Sequence, residues 1–102
     1  MNVKIQSVKF DADKKLIDFI ESKVAKIDRF IDNIVSVDVT LKLDKDFDNG
    51  NKVATIKVTV PGDELVAERQ CKSFEEAIDS GLDAIRNQVD KYKEKLHLLK
   101  FQ

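Results

Sequence analysis
The sequence predicts an α+β fold: a two-layer β-α-β-β-β-α sandwich, a four-stranded sheet with two helices packed on one face. Three observations lead there. Residues 34–43 and 52–60 alternate apolar and polar side chains with period two, the pattern of strands with one buried face. Residues 16–34 and the segment after Ser73 repeat apolar side chains at helical spacing, so each is a helix with one stripe to bury. A chain of 102 residues fits one domain with one core, so the two stripes have one place to go, the apolar face of the sheet.

The elements follow in order. The first strand spans residues 3–10: Val3 and Ile5 alternate, then the phase shifts to Val8 and Phe10, which a bulge near Ser7 would explain. Asp11 or Asp13 caps the next helix. Its stripe is Leu16, Ile17, Ile20, Val24, Ile27, Ile31 and Ile34, with Phe19 and Phe30 at its flanks. The second strand turns Val35, Val37, Val39, Leu41 and Leu43 inward and Ser36, Asp38, Thr40 and Lys42 outward. After a polar loop over residues 44–51, the third strand turns Ala54, Ile56, Val58 and Val60 inward and Thr55, Lys57 and Thr59 outward. Pro61-Gly62-Asp63 is a turn. The fourth strand, residues 64–71, has Leu65, Ala67 and Cys71 as inner residues. Ser73 and Glu76 have capping-box spacing at the start of the closing helix. That helix carries Phe74, Ile78, Leu82, Ile85, Val89, Tyr92, Leu96 and Leu99 on one stripe. The first β-α-β unit is expected to be a right-handed crossover between parallel strands and the rest an antiparallel meander.

Composition excludes several classes of function. The formal net charge is -1, so any polyanion site is a local patch within a balanced whole. A single cysteine forms no internal disulfide and suits a reducing compartment. The start Met1-Asn2-Val3-Lys4-Ile5 lacks the apolar run of a signal peptide, and no stretch approaches the ~18 apolar residues of a membrane span. A cytoplasmic protein with no membrane partner is expected.

Catalysis finds little support. The one histidine, His97, has no nucleophile that the sequence places beside it, and Cys71 occupies an inward strand position, where a free thiol behaves as a small hydrophobe. No His/Cys constellation suggests a metal. Asp44, Asp46 and Asp48 followed by Asn49-Gly50 look like a calcium loop. From Asp44, however, the sixth residue is Asn49 where glycine is needed, and the twelfth is Thr55 where glutamate is needed. The expectation is a non-enzyme with no cofactor, no metal and a solvated acidic hairpin.

The basic residues are the better lead. Along the closing helix Glu75, Glu76, Asp79 and Asp83 come early and Arg86, Lys91, Lys93, Lys95 and Lys100 late. One or two cations complement a helix dipole; five spread over several turns suit a polyanion. At 100° per residue, Lys91 and Lys95 flank one side of the apolar stripe, and Arg86, Lys93, Lys100 and His97 the other. In the first helix Lys15, Lys26 and Arg29 share a sector with Ser22 and Asp18, and Lys23 borders the core. Helices packed side by side would merge these faces into one ridge for RNA phosphates. The competing reading is a solvated face closed by intrahelical pairs such as Lys91 with Glu94 or Asp90 with Lys93.

Three segments resemble the short ribosome hibernation-promoting factors, relatives of the ribosome-associated inhibitor proteins. They are Ser22-Lys23-Val24-Ala25-Lys26-Ile27-Asp28-Arg29-Phe30, the alternating residues 35–43, and Phe74-Glu75-Glu76-Ala77-Ile78-Asp79 followed by Gln88-Val89-Asp90-Lys91-Tyr92-Lys93-Glu94-Lys95-Leu96. The resemblance runs end to end and implies what spacing does not. Such proteins bind the small ribosomal subunit (16S-type rRNA, not DNA) in the decoding channel of mRNA and tRNA. There they stop translation and preserve or dimerise idle ribosomes, often with a second small hibernation factor. By position it implies rRNA contacts at Lys23, Lys26, Lys91, Lys93 and Lys95; Arg29 and Arg86 join them on physical grounds. Ala84 and Asn87 stand where the family often has Lys or Arg, which leaves half of the Lys91–Lys95 stripe neutral. After Lys95 too little chain remains for an inhibitor-type tail or a C-terminal dimerisation domain. Residues 1–102 are therefore expected to be a single ribosome-binding domain of the short type. The alternative is a small protein-interaction module that docks through its exposed sheet face or a strand edge.

Overall fold
The computed structural model describes residues 2–45, 48 and 50–100, with side chains through Leu96. Its elements are β1 (Asn2–Ser7), α1 (Lys14–Ala25), a 3-10 turn (Lys26–Arg29), β2 (Ser36–Leu43), β3 (Lys52–Val60), β4 (Asp63–Cys71) and α2 (Phe74–Lys100). The strands form a sheet of order β1-β2-β3-β4, with β1 parallel to β2 and the other pairs antiparallel. Both helices cover the same face, as expected. Ile20 and Val24 of α1 join Val37, Val39, Leu41, Ile56, Val58, Ile78 and Ile85 in one buried cluster.

The first strand is shorter than expected and has no bulge. It ends at Ser7, although the Val8 N–H still donates to the Leu41 carbonyl at 2.9 Å. Lys9 then adopts φ +62°, and the turned chain lays Phe10 on Phe74 at 5.2 Å between ring centroids. The phase shift in the sequence is this left-handed corner. Asp13, and not Asp11, is the cap: its Oδ1 accepts from the Leu16 N–H at 2.8 Å. The α-helix does not reach Ile34. It tightens into the 3-10 turn after Ala25, yet Ile27 and Ile31 remain buried. Asn33, at φ +64°, finishes the segment before β2.

The inner rows of β2 and β3 are as read, except at the ends. Val37, Val39 and Leu41 are buried, but Val35 and Leu43 are 56% and 48% exposed, beyond the cover of the helices. In β4 Leu65 and Ala67 are buried, while Cys71 is only half-buried. The inward position between Ala67 and Cys71 is Arg69, whose Nε donates to Ser80 Oγ at 3.2 Å. The β3–β4 turn places Gly62 at φ +80° behind Pro61, a conformation that glycine adopts without strain.

Ser73 caps the start of α2: its hydroxyl accepts from the Glu76 N–H at 3.2 Å. The helix crosses β3 and β4 closely: a Cβ on Gly81 would lie 2.8 Å from Ile56 Cδ1. Its 27 residues give a rod of roughly 40 Å, longer than the roughly 30 Å of a nine-residue strand. The expected stripe therefore outruns the core. Val89 is buried, Tyr92 is half-buried with its hydroxyl 3.5 Å from the Pro61 carbonyl, and Leu96 is 42% exposed. The side chain of Leu99 lies outside the described residues.

Candidate nucleic-acid interface
The helix layer brings the basic residues into two separate places. The first is the groove between α1 with its 3-10 turn and α2. Lys23, Lys26, Ile27 and Phe30 line one wall, and Asp79, Leu82, Asp83 and Arg86 the other. The α2 residues reach it because their spacing of three, four and seven puts them on one helix face. The opposite wall is built from the last turn of α1 (Lys23), the 3-10 turn (Lys26 and Ile27) and Phe30 just past it.

Two aromatic rings hold cations at this groove. Arg86 sits over Phe30 at 5.6 Å from the ring centroid, and Lys23 over Phe19 at 5.4 Å, both within the range of cation–π attraction. Lys23 also pairs with Asp79 at 3.4 Å. Lys26 is exposed and Arg86 projects from the helix, so both can present N–H donors to an anion.

The second place is the opposite flank of α2, along β4. Lys91 and Lys95 share a shallow cleft with Asp63, Leu65, Gln88 and Tyr92. Lys95 Nζ lies 3.7 Å from an Asp63 carboxylate oxygen, a solvent-exposed pair that contributes little stability but lowers the local positive potential. Gln88, on this same flank, fastens the helix to the sheet: its Oε1 accepts from the Val66 N–H at 3.1 Å and its Nε2 donates to the Val66 carbonyl at 2.7 Å. This closes part of an otherwise open strand edge.

The expected single ridge is thus split by the body of α2. Lys23, Lys26 and Arg86 come together; Lys91 and Lys95 form a second group. Arg29 and Lys93 are exposed and line neither cleft. The side chains of His97 and Lys100 lie outside the described residues, as do Asp46 and Asn49 of the acidic loop. The intrahelical pairs Lys91–Glu94 and Asp90–Lys93 do not close; Lys23 and Lys95 reach across to other elements instead. Sequence reasoning missed the Arg86–Phe30 contact and the Gln88 clamp. A phenylalanine just past a helix end and a lone glutamine on a flank are too common to signal either.

The open face of the sheet differs in kind. Lys42 lies 3.7 Å and Thr55 3.1 Å from Glu68, and Lys57 lies 3.3 Å from Glu64. Its charges are mixed, and Lys42 and Lys57 are paired with Glu68 and Glu64. Among the described residues no group of three or more His, Cys, Asp or Glu side chains could hold a metal, and no helix is long and apolar enough to cross a membrane.

Comparison with known proteins agrees with the fold. The model of the family described as Sigma 54 modulation protein / S30EA ribosomal protein matches residues 3–97. A ribosome hibernation promoting factor of Azotobacter vinelandii is 33% identical, with 93% of this chain and 85% of that protein covered. The N-terminal domain of Protein Y from Thermus thermophilus superposes with a TM-score of 0.75 at 27% identity, over 90% of this chain and 99% of that one. A ribosomal subunit interface protein from Coxiella burnetii shares the fold, with a TM-score of 0.80 at 20% identity, over 92% of this chain and 99% of that one.

Proposed function
The chain belongs to the Sigma 54 modulation protein / S30EA ribosomal protein family, and on that premise we propose that it is a ribosome hibernation factor. It binds the small ribosomal subunit at the decoding channel of mRNA and tRNA, blocks translation there, and preserves or pairs idle ribosomes. A second small hibernation factor is the natural companion in pairing. The work is done by binding, as a single ribosome-binding domain, with no chemical step.

The observation that carries this reading is the division of charge between the two faces. The helix layer gathers Lys23, Lys26 and Arg86 at one groove and Lys91 and Lys95 at the next, while the open sheet face is balanced by its own ion pairs. A molecule of net charge -1 can enter an anionic RNA channel when its cations face the RNA and its acidic loop faces away. Lys23, Lys26, Arg29, Arg86, Lys91, Lys93 and Lys95 are the proposed rRNA contacts. The clamp of Gln88 on the β4 edge and the ion pairs of the open face count against docking through the sheet.

Co-sedimentation with purified small ribosomal subunits tests the reading. Migration with the subunit at low salt and release at raised salt is expected, because each neutralised phosphate releases counterions. A protein that stays at the top of the gradient at every salt contradicts it. Added to whole ribosomes, the protein should also raise the dimer peak if pairing is part of its role.

A further inference from the structure
The groove between the helices contains more than a phosphate contact requires. Its floor is apolar, formed by Ile27 and Leu82, and its volume of about 430 Å³ lies within the roughly 300–1,000 Å³ of small-molecule sites. Arg86 lies over the ring of Phe30, its guanidinium carbon 5.6 Å from the ring centroid, and is otherwise exposed, so its planar guanidinium is available for stacking. The groove also holds two carboxylates, and a carboxylate repels phosphate. Asp79 is occupied by Lys23. Asp83 has no ion-pair or hydrogen-bond partner among the described residues, though it lines the same groove. A carboxylate accepts hydrogen bonds and donates none, so an unpaired one beside a stacking platform suits a base that offers an amino group.

We infer that this groove is a subsite for one unstacked nucleotide whose base carries an exocyclic amino group, cytosine being the smallest case. The base lies on the apolar floor and stacks on the Arg86 guanidinium, as splayed-out RNA bases stack on aromatic rings and arginine planes. Its amino group donates to Asp83. Lys26, exposed at the groove's rim, meets the 5′-phosphate as a point charge. The inference rests on the proposed RNA-binding role and deepens it: the ridge lysines bind any phosphate, and the groove selects which base turns inward.

The test is a titration of the amide signals of the full chain with three probes: CMP, UMP and inorganic phosphate. CMP and UMP are matched in size and charge and differ at the amino group. CMP should shift the signals of Lys26, Phe30, Asp83 and Arg86 and bind at least about fivefold tighter than UMP, the lower end of what a base-edge contact contributes. Phosphate should shift Lys26 with little effect on Phe30. Asp83→Asn, at an exposed helix position, should keep the fold and remove most of the CMP preference. Equal responses to CMP and UMP, shifts confined to Lys91 and Lys95, no shift at millimolar nucleotide, or a preference unchanged in Asp83→Asn would each overturn it. Co-sedimentation separates the two claims. Ribosome binding without a CMP response removes the subsite alone; a CMP response without ribosome binding removes the hibernation role and leaves a nucleotide site.

Discussion
The groove between the helices and the β4-side flank of α2 are both lined by cations, yet they are built differently. In the groove, Lys26 and Arg86 stand over an apolar floor, with Phe30 behind Arg86 holding its guanidinium in place. On the flank, Lys91 and Lys95 sit at a shallow cleft where Asp63 draws one of them aside. A cation held by packing loses less side-chain entropy on meeting an anion than one free in solvent. A count of lysines would rank the two places equally; their surroundings rank the groove first.

The sharpest way to break this ranking is charge reversal in each place. Lys26→Glu with Arg86→Glu should weaken small-subunit binding by about 100-fold or more, since two charge-assisted contacts at about 1.5 kcal/mol each are lost. Lys91→Glu with Lys95→Glu should weaken it by about tenfold, since Lys95 starts partly neutralised. Both variants should keep wild-type circular dichroism, and titration against labelled subunits gives the ratio. A flank variant weaker than the groove variant reverses the ranking.

The flank also depends on how α2 is fastened. Gln88→Ala removes two hydrogen bonds to the Val66 backbone and should cost about 1–2 kcal/mol of stability in urea unfolding. Its effect on binding should be smaller than that of either charge reversal. The gentlest change frees a cation: Asp63→Asn should tighten binding about two- to threefold and steepen its salt dependence, as expected when an exposed pair of ~0.5 kcal/mol no longer competes. No gain in that variant would mean that Lys95 makes no RNA contact.

Much of the architecture was legible from periodicity. The alternation of residues 37–41 and 54–60 identified the inner sheet rows, and the isoleucine spacing of the first helix identified its buried side. The failures fall where two backbones satisfy one pattern. Ile27 and Ile31 are spaced for an α-helix, but they are buried equally well by a 3-10 turn and the residues after it, so the end of α1 at Ala25 left no mark on the stripe. Val8 and Phe10 resumed an apolar rhythm that belongs to a corner at Lys9 and not to a strand. The candidate site was half legible. Each basic residue was visible, and the helical wheel separated Arg86 from Lys91 and Lys95. That the groove would join Arg86 to Lys23 and Lys26 depends on how two helices pack, which no local pattern encodes.

The central claim is that the helix layer, and not the open sheet face, meets the RNA. Two double neutralisations that change net charge equally test it directly: Lys26→Gln with Arg86→Gln in the groove, and Lys42→Gln with Lys57→Gln on the open face. Each would be sedimented with small ribosomal subunits at one low salt concentration. The account predicts that the open-face variant travels with the subunit like the wild type and that the groove variant stays behind. Loss of the open-face variant with retention of the groove variant would contradict the account and give the RNA to the sheet.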